Sequence, residues 1–152
     1  MDITARLNAL GLSLPPVPKP QGSYVPSVRS GNLVFVAGQL PIREGKLTCA
    51  GKVGRDVGLD DARAAARLCF LNALAALAYA ADPSKVTRVV RLGGFVQSAE
   101  GFNDQPLVLN GASELAKEIF GEAGAHARAA VGVNALPLNA AVEVEALFEV
   151  AD

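Results

Sequence analysis

The chain has 152 residues, 51% of them hydrophobic and 19% charged, which suits one folded domain with a real core and excludes disorder. The formal net charge is −1, no basic run stands out, and aromatics make up 5% with no Trp, so no electrostatic groove or base-stacking platform for nucleic acid is expected. Cys49 and Cys69 form no CxxC motif and His126 is the only histidine, so no disulfide or metal site is expected, and a Ser-His-Asp triad could draw on no other histidine.

Met1-Asp2-Ile3-Thr4-Ala5-Arg6 lacks a basic segment followed by an apolar core, so no signal peptide is expected. Residues 3 to 12 read as a short helix with Ile3, Leu7, Leu10 and Leu12 on or near one side. The run from Pro15 to Pro20 ends it in an extended arm. That arm either lies across the domain or serves as a linker; residues 1–21 form helix and arm, and residues 22–150 the core, of a single domain spanning 1–152.

Tyr24 to Ser27 and Asn32 to Leu40 follow as extended segments, with Leu33-Val34-Phe35-Val36-Ala37 as a central strand. Arg43-Glu44-Gly45-Lys46 reads as a hairpin turn. The clearest helix covers 60 to 81. Ala62, Ala66, Cys69, Phe70, Ala73, Leu74 and Leu77 form its apolar stripe, Asp60 and Asp61 suit its start, and Asp82-Pro83 stops it. Its longest apolar stretch, Leu68 to Ala81, is broken by Asn72 and is too short to cross a bilayer, so a cytoplasmic protein without membrane contact is expected.

Val86 to Gln97 is β-prone, and Gly93-Gly94 within it marks a bulge or a close backbone approach. Pro106 opens a second helix that Gly121 closes, with Leu109, Leu115, Ala116, Ile119 and Phe120 inside. Residues 127–133 and 141–150 are closing strands. The order describes an α+β two-layer sandwich, a mostly antiparallel mixed sheet with two helices on one face. The other sheet face must be covered by something, and a trimer with its sheets lining a central barrel would do so.

Arg128 interrupts an apolar strand among alanines and glycine. Its guanidinium either grips a carboxylate as a fork or reaches into solvent. Glu143 and Glu145 alternate with apolar residues, which puts both on one sheet face. If residues 135–138 formed a four-residue hairpin loop, Arg128 would lie opposite Glu145 and diagonal to Glu143, and the three would make either a site or an exposed structural ion pair. Spacing does not choose between the glutamates.

Two blocks carry a family resemblance. Gly22-Ser23-Tyr24-Val25-Pro26 with Gly31 to Pro41 resembles a GPY-like turn and a strand ending in SGQ-P. Ala127-Arg128-Ala129-Ala130-Val131-Gly132-Val133, Leu136-Pro137 and Val142-Glu143-Val144-Glu145-Ala146 resemble the closing block ARSxVxVxxLP…(I/V)E(I/V)EA. Over residues 22 to 150 the chain resembles the reactive intermediate deaminase (RidA, YjgF) family. The resemblance implies a chorismate mutase-like fold, a homotrimer with pockets between subunits, and hydrolysis of reactive 2-enamine and 2-imine acids to 2-keto acids and ammonia without a cofactor. It matches Arg128 to the carboxylate-binding arginine, Glu143 to the glutamate at the attacking water, Tyr24 to a pocket tyrosine, Gly38 to a lining glycine and Phe102 to a pocket aromatic. Ala130 stands at the lining position where the family usually has cysteine. Beside Arg128, Glu143 is expected to stay ionised and act as a base. Binding of a 2-keto acid without turnover is the other reading; a ribonuclease fits poorly without a His pair or a basic groove.

Overall fold

The computed structural model describes residues 1–19 and 22–152; Pro20 and Gln21, at the end of the expected arm, lie outside the described residues. Among the described residues three α-helices are present, α1 (Ile3–Ala9), α2 (Leu59–Leu77) and α3 (Gln105–Phe120). The strands are β1 (Ser27–Ser30), β2 (Leu33–Gln39), β3 (Ile42–Arg43), β4 (Lys46–Leu47), β5 (Val86–Gln97), β6 (Ala127–Val133) and β7 (Val142–Val150). Five of them form one sheet in the order β1-β2-β7-β5-β6, and β3 with β4 makes a separate small hairpin around Glu44 and Gly45, both at positive φ. All main-sheet pairings are antiparallel except β5–β6, which is parallel. This is the α+β, mostly antiparallel mixed sheet that the element order predicts.

The expected β6–β7 hairpin does not exist. β5 lies between the two strands and pairs with both, so residues 134 to 141 cross its end instead of turning tightly. That crossing is held by the buried Gln97, whose Oε1 accepts from the Leu136 N–H at 2.9 Å and whose Nε2 donates to Asn139 Oδ1 at 2.8 Å. The Ala141 N–H donates to the Cys49 carbonyl at 3.1 Å, which ties the crossing to the loop before α2.

On β7, Val142, Val144, Ala146, Phe148 and Val150 are buried beneath the helices while Glu143, Glu145, Leu147 and Glu149 face the other way. The whole predicted α2 stripe is buried, together with Ala65, Leu68, Leu71, Ala75 and Ala76, because α2 meets both the sheet and α3. α2 stops at Leu77, short of the predicted Ala81, in a tightened turn where the Ala78 and Tyr79 N–H groups reach back three residues. Gly111 lets α3 cross α2 closely: a Cβ there would collide with the Arg63 carbonyl oxygen.

The amino-terminal helix is docked rather than loose. Ile3 and Leu7 are buried, and Arg6 Nε donates to the Ile119 carbonyl at the end of α3, 3.2 Å away. α1 ends earlier than predicted because Gly11, at φ 70°, lets the Leu12 N–H return to the Leu7 carbonyl at 2.9 Å. Among the described residues no helix is long and apolar enough to cross a membrane.

The face away from the helices is uncovered in a single chain. Phe35 (51% exposed), Val28 and Val131 stand on it, with Leu147 and Phe95 half-buried among them. Paired neighbours Val28–Phe35–Leu147 and Phe95–Val131 make rows of apolar side chains across the strands.

Candidate active site

Register places Arg128 and Glu143 on opposite faces of the sheet. Arg128 pairs with Leu92, which pairs with Ala146; both are buried under the helices. Glu143 pairs with Phe95 on the open face. The expectation that one chain brings Arg128 beside Glu145 and Glu143 rested on the missing β6–β7 hairpin. Inserting β5 between the strands moves Arg128 two strands from Glu143 and reverses its face.

Arg128 sits on the edge strand and turns back onto α3. Its Nη1 donates to Asn110 Oδ1 at 2.7 Å and to Ser113 Oγ at 3.0 Å, and its Nη2 donates to the Pro106 carbonyl at 3.2 Å. The guanidinium therefore neither waves freely nor joins an ion pair; it is held from one side by the first turns of a helix. Ser113 Oγ lies 2.8 Å from His126 Nε2, and His126 Nδ1 lies 2.6 Å from the Gly124 carbonyl. Burial first, then the Arg128 and Lys117 charges, holds the imidazole below its usual pKa, partly offset by the Gly124 hydrogen bond.

Glu143 is half-buried on β7. Its carboxylate lies over Gly38, where β2 carries a bulge: Val36 pairs with Ala146 and Gln39 with Val144, so β2 has one residue more than β7. A Cβ on Gly38 would collide with Glu143 Oε1, so glycine makes room for the acid. Burial, and secondarily the Glu145 charge, raise the Glu143 pKa. The expected stabilisation of its ionised form by a neighbouring Arg128 does not occur within one chain. The arginine that reaches a glutamate of this pair is Arg91, whose Nη1 lies 3.3 Å from Glu145 Oε1.

Gly93 and Gly94 serve close approach. The Arg91 and Glu145 side chains lie against the first and Leu109 against the second, while the bulges of β5 fall earlier, between Val86 and Arg91.

Tyr24 is exposed and lines a groove of about 440 Å³ on the open face, with Phe35, Arg91, Glu145 and Leu147. It leads into β1, at the opposite sheet edge from Arg128; four strand spacings separate those edges, on the order of 19 Å. Tyr24 therefore stands nearer Glu145 than Arg128 in one protomer. Ala130 pairs with Gly94, half-buried on the helix side of β6. Phe102 lies in the turn before α3, packed on Gly54 and the core, and its carbonyl accepts from Gln105 Nε2 at 2.8 Å.

Of the predicted residues, one chain thus brings together Glu143 with Gly38 on the open face. It places Arg128 and Ala130 on the helix side of the edge strand and leaves Tyr24 across the sheet. Sequence reasoning missed Asn110, Ser113 and Arg91, and gave His126 no role. The available signal was Asn110 and Ser113 three residues apart in the otherwise apolar stretch from Pro106 to Ser113, a spacing that puts two polar groups on one helix face.

Comparison with known proteins agrees with this architecture. Residues 4–150 match the family described as "YjgF/chorismate mutase-like, putative endoribonuclease". Protein TCP17 of Trypanosoma cruzi is 43% identical over 149 residues, 97% of this chain and 93% of that protein. A 2-iminobutanoate/2-iminopropanoate deaminase of Dermatophagoides farinae is 31% identical over 138 residues, 90% of this chain and 92% of that one. The crystal structure of Atu1372 from Agrobacterium tumefaciens, a protein of unknown function, superposes with a TM-score of 0.89 at 49% identity, covering 98% of this chain and 92% of that chain. With its match spanning nearly every residue from α1 to β7, and with this sheet and these helices, the chain belongs to the RidA/YjgF family.

Proposed function

We propose that this protein hydrolyses reactive 2-imino and 2-enamino acids to 2-keto acids and ammonia, at sites completed between the subunits of a homotrimer. The observation that carries the reading is Glu143, a half-buried carboxylate with a raised pKa on an uncovered apolar face. Such a group can take a proton from water and return it more readily than an ordinary carboxylate. Support also comes from the imine deaminase relative at 31% identity.

Arg128 holds the substrate carboxylate. Glu143 removes a proton from water as its oxygen bonds to the imine carbon and the nitrogen gains a proton. The resulting carbinolamine collapses: the C–N bond breaks, ammonia leaves with the protons, and the oxygen becomes the ketone. Tyr24 closes the pocket and offers its phenol. Gly38 leaves space for the Glu143 carboxylate, while Ala130 and Phe102 shape the wall near Arg128. Because one chain puts Arg128 and Glu143 on opposite faces, each site takes its arginine from one subunit and its glutamate from another.

The test is keto-acid release from amino-acid imines generated in the presence of the assembled protein. Charged hydrogen bonds are worth roughly 1.5–3 kcal/mol each, so Arg128→Ala lowers kcat/KM by at least about tenfold. Glu143→Gln keeps ligand binding and slows hydrolysis. Hydrolysis unchanged in Arg128→Ala overturns the proposal. A second reading, binding of 2-keto acids without turnover, draws on the separation of Arg128 from Glu143 within a chain; it predicts saturable pyruvate binding with no hydrolysis by the wild-type protein.

A further inference from the structure

We infer that α3 and His126 hold the Arg128 fork in one orientation, leaving its Nε–Nη2 edge for a single planar carboxylate. The identity of the ligand rests on the reading above; the positioning rests on the contacts alone. A guanidinium has five N–H groups. Three are engaged: both on Nη1, by Asn110 and Ser113, and one on Nη2, by the Pro106 carbonyl. The remaining two belong to Nε and Nη2, the nitrogens of the fork's side edge, which meets a carboxylate through two parallel hydrogen bonds. A residue already held on its other edge loses less rotamer freedom when the ligand arrives.

His126 sets the direction of the chain of hydrogen bonds. The Gly124 carbonyl can only accept, so His126 Nδ1 carries a proton and, in the neutral ring, Nε2 accepts. The Ser113 hydroxyl then donates to Nε2 and turns a lone pair toward Arg128 Nη1. A hydroxyl proton pointing the other way would face the guanidinium. Asn110, Ser113 and His126 are thus positioning residues: none needs to touch the substrate, and each acts through Arg128.

The experiment compares full-length wild type, Ser113→Ala, Ser113→Thr and the double variant Asn110→Ala/Ser113→Ala. For Ser113→Ala, KM for the imine and Kd for pyruvate rise by about tenfold, the size of one hydrogen bond to a charged group, while kcat changes by less than about twofold. Ser113→Thr keeps the hydroxyl and restores both constants, which a packing defect would not allow. The ligand-free protein supplies a separate readout: the Arg128 Nε–H nitrogen-15 NMR signal is sharp and slowly exchanging in wild type and in Ser113→Thr, and broadens in Ser113→Ala. Should wild type neither hydrolyse imines nor bind pyruvate, the proposed function fails, and the Arg128 signal alone decides the positioning. A freely exchanging signal in wild type, or pyruvate binding unaltered in the double variant, overturns the inference.

Discussion

Glu143 occupies the space that any side chain at position 38 would claim. The atom in the way is the far end of a flexible chain, so Gly38→Ala should displace the carboxylate rather than open the fold. Hydrolysis is expected to fall while the denaturation midpoint hardly moves. The raised Glu143 pKa adds a stability prediction. The folded chain releases this proton less readily than the unfolded one, so the group's contribution is present below its unfolded pKa and is lost as pH rises through the folded value. Glu143→Gln should therefore be more stable than wild type at about pH 8, and the advantage should vanish by about pH 4. Thermal melts at both pH values check this. At this scale residue types were legible and their partners were not: Arg128 and Glu143 stood out because charge interrupts apolar strands, but the atoms gripping Arg128 come from a helix that starts over twenty residues earlier.

The α2–α3 pair rests on backbone contact at Gly111, where the obstacle to a side chain is the Arg63 carbonyl and cannot swing aside. Gly111→Ala should cost about 1–3 kcal/mol, as overpacking does, measured by urea unfolding. The two ion pairs over the same crossing, Arg63–Glu114 and Arg67–Glu118, are exposed and offer little to offset it. The contrast with Gly38→Ala is between a backbone obstacle and a side-chain one. Both long helices were readable because 3.6-residue periodicity needs no knowledge of partners. The β6–β7 hairpin was misread because period-two alternation gives a strand's faces but not its neighbour. Leu136-Pro137-Leu138-Asn139 looks like a turn, and is one, yet it leads past β5 instead of back along β6.

At the scale of the whole molecule, the proposed shared site has a second copy supply, across the apolar open face, what one chain lacks. Mixing Arg128→Ala with Glu143→Gln chains, after dissociation and reassembly, should regain a fraction of wild-type hydrolysis, because some sites then receive an intact arginine from one chain and an intact glutamate from another. No recovery from mixtures shown to co-assemble by mass spectrometry would place both groups in the same chain. The bare face was legible, because a sheet with helices on one side only leaves the other open; what covers it is written in side-chain shapes that no periodicity reports.

β7 stands third of five in the sheet, flanked by β2 and β5, although it is the last strand in the chain. During synthesis the ribosome thus delivers the middle of the sheet after both of its flanks. Until residues 142 to 150 emerge, β1–β2 and β5–β6 can exist only as two separate ribbons, each with a bare edge awaiting the same partner. Pairings between residues over a hundred positions apart form late. A nascent chain stalled before Val142 would expose those edges and Phe70, whose ring otherwise meets Phe148. Such a fragment is a natural client for a chaperone.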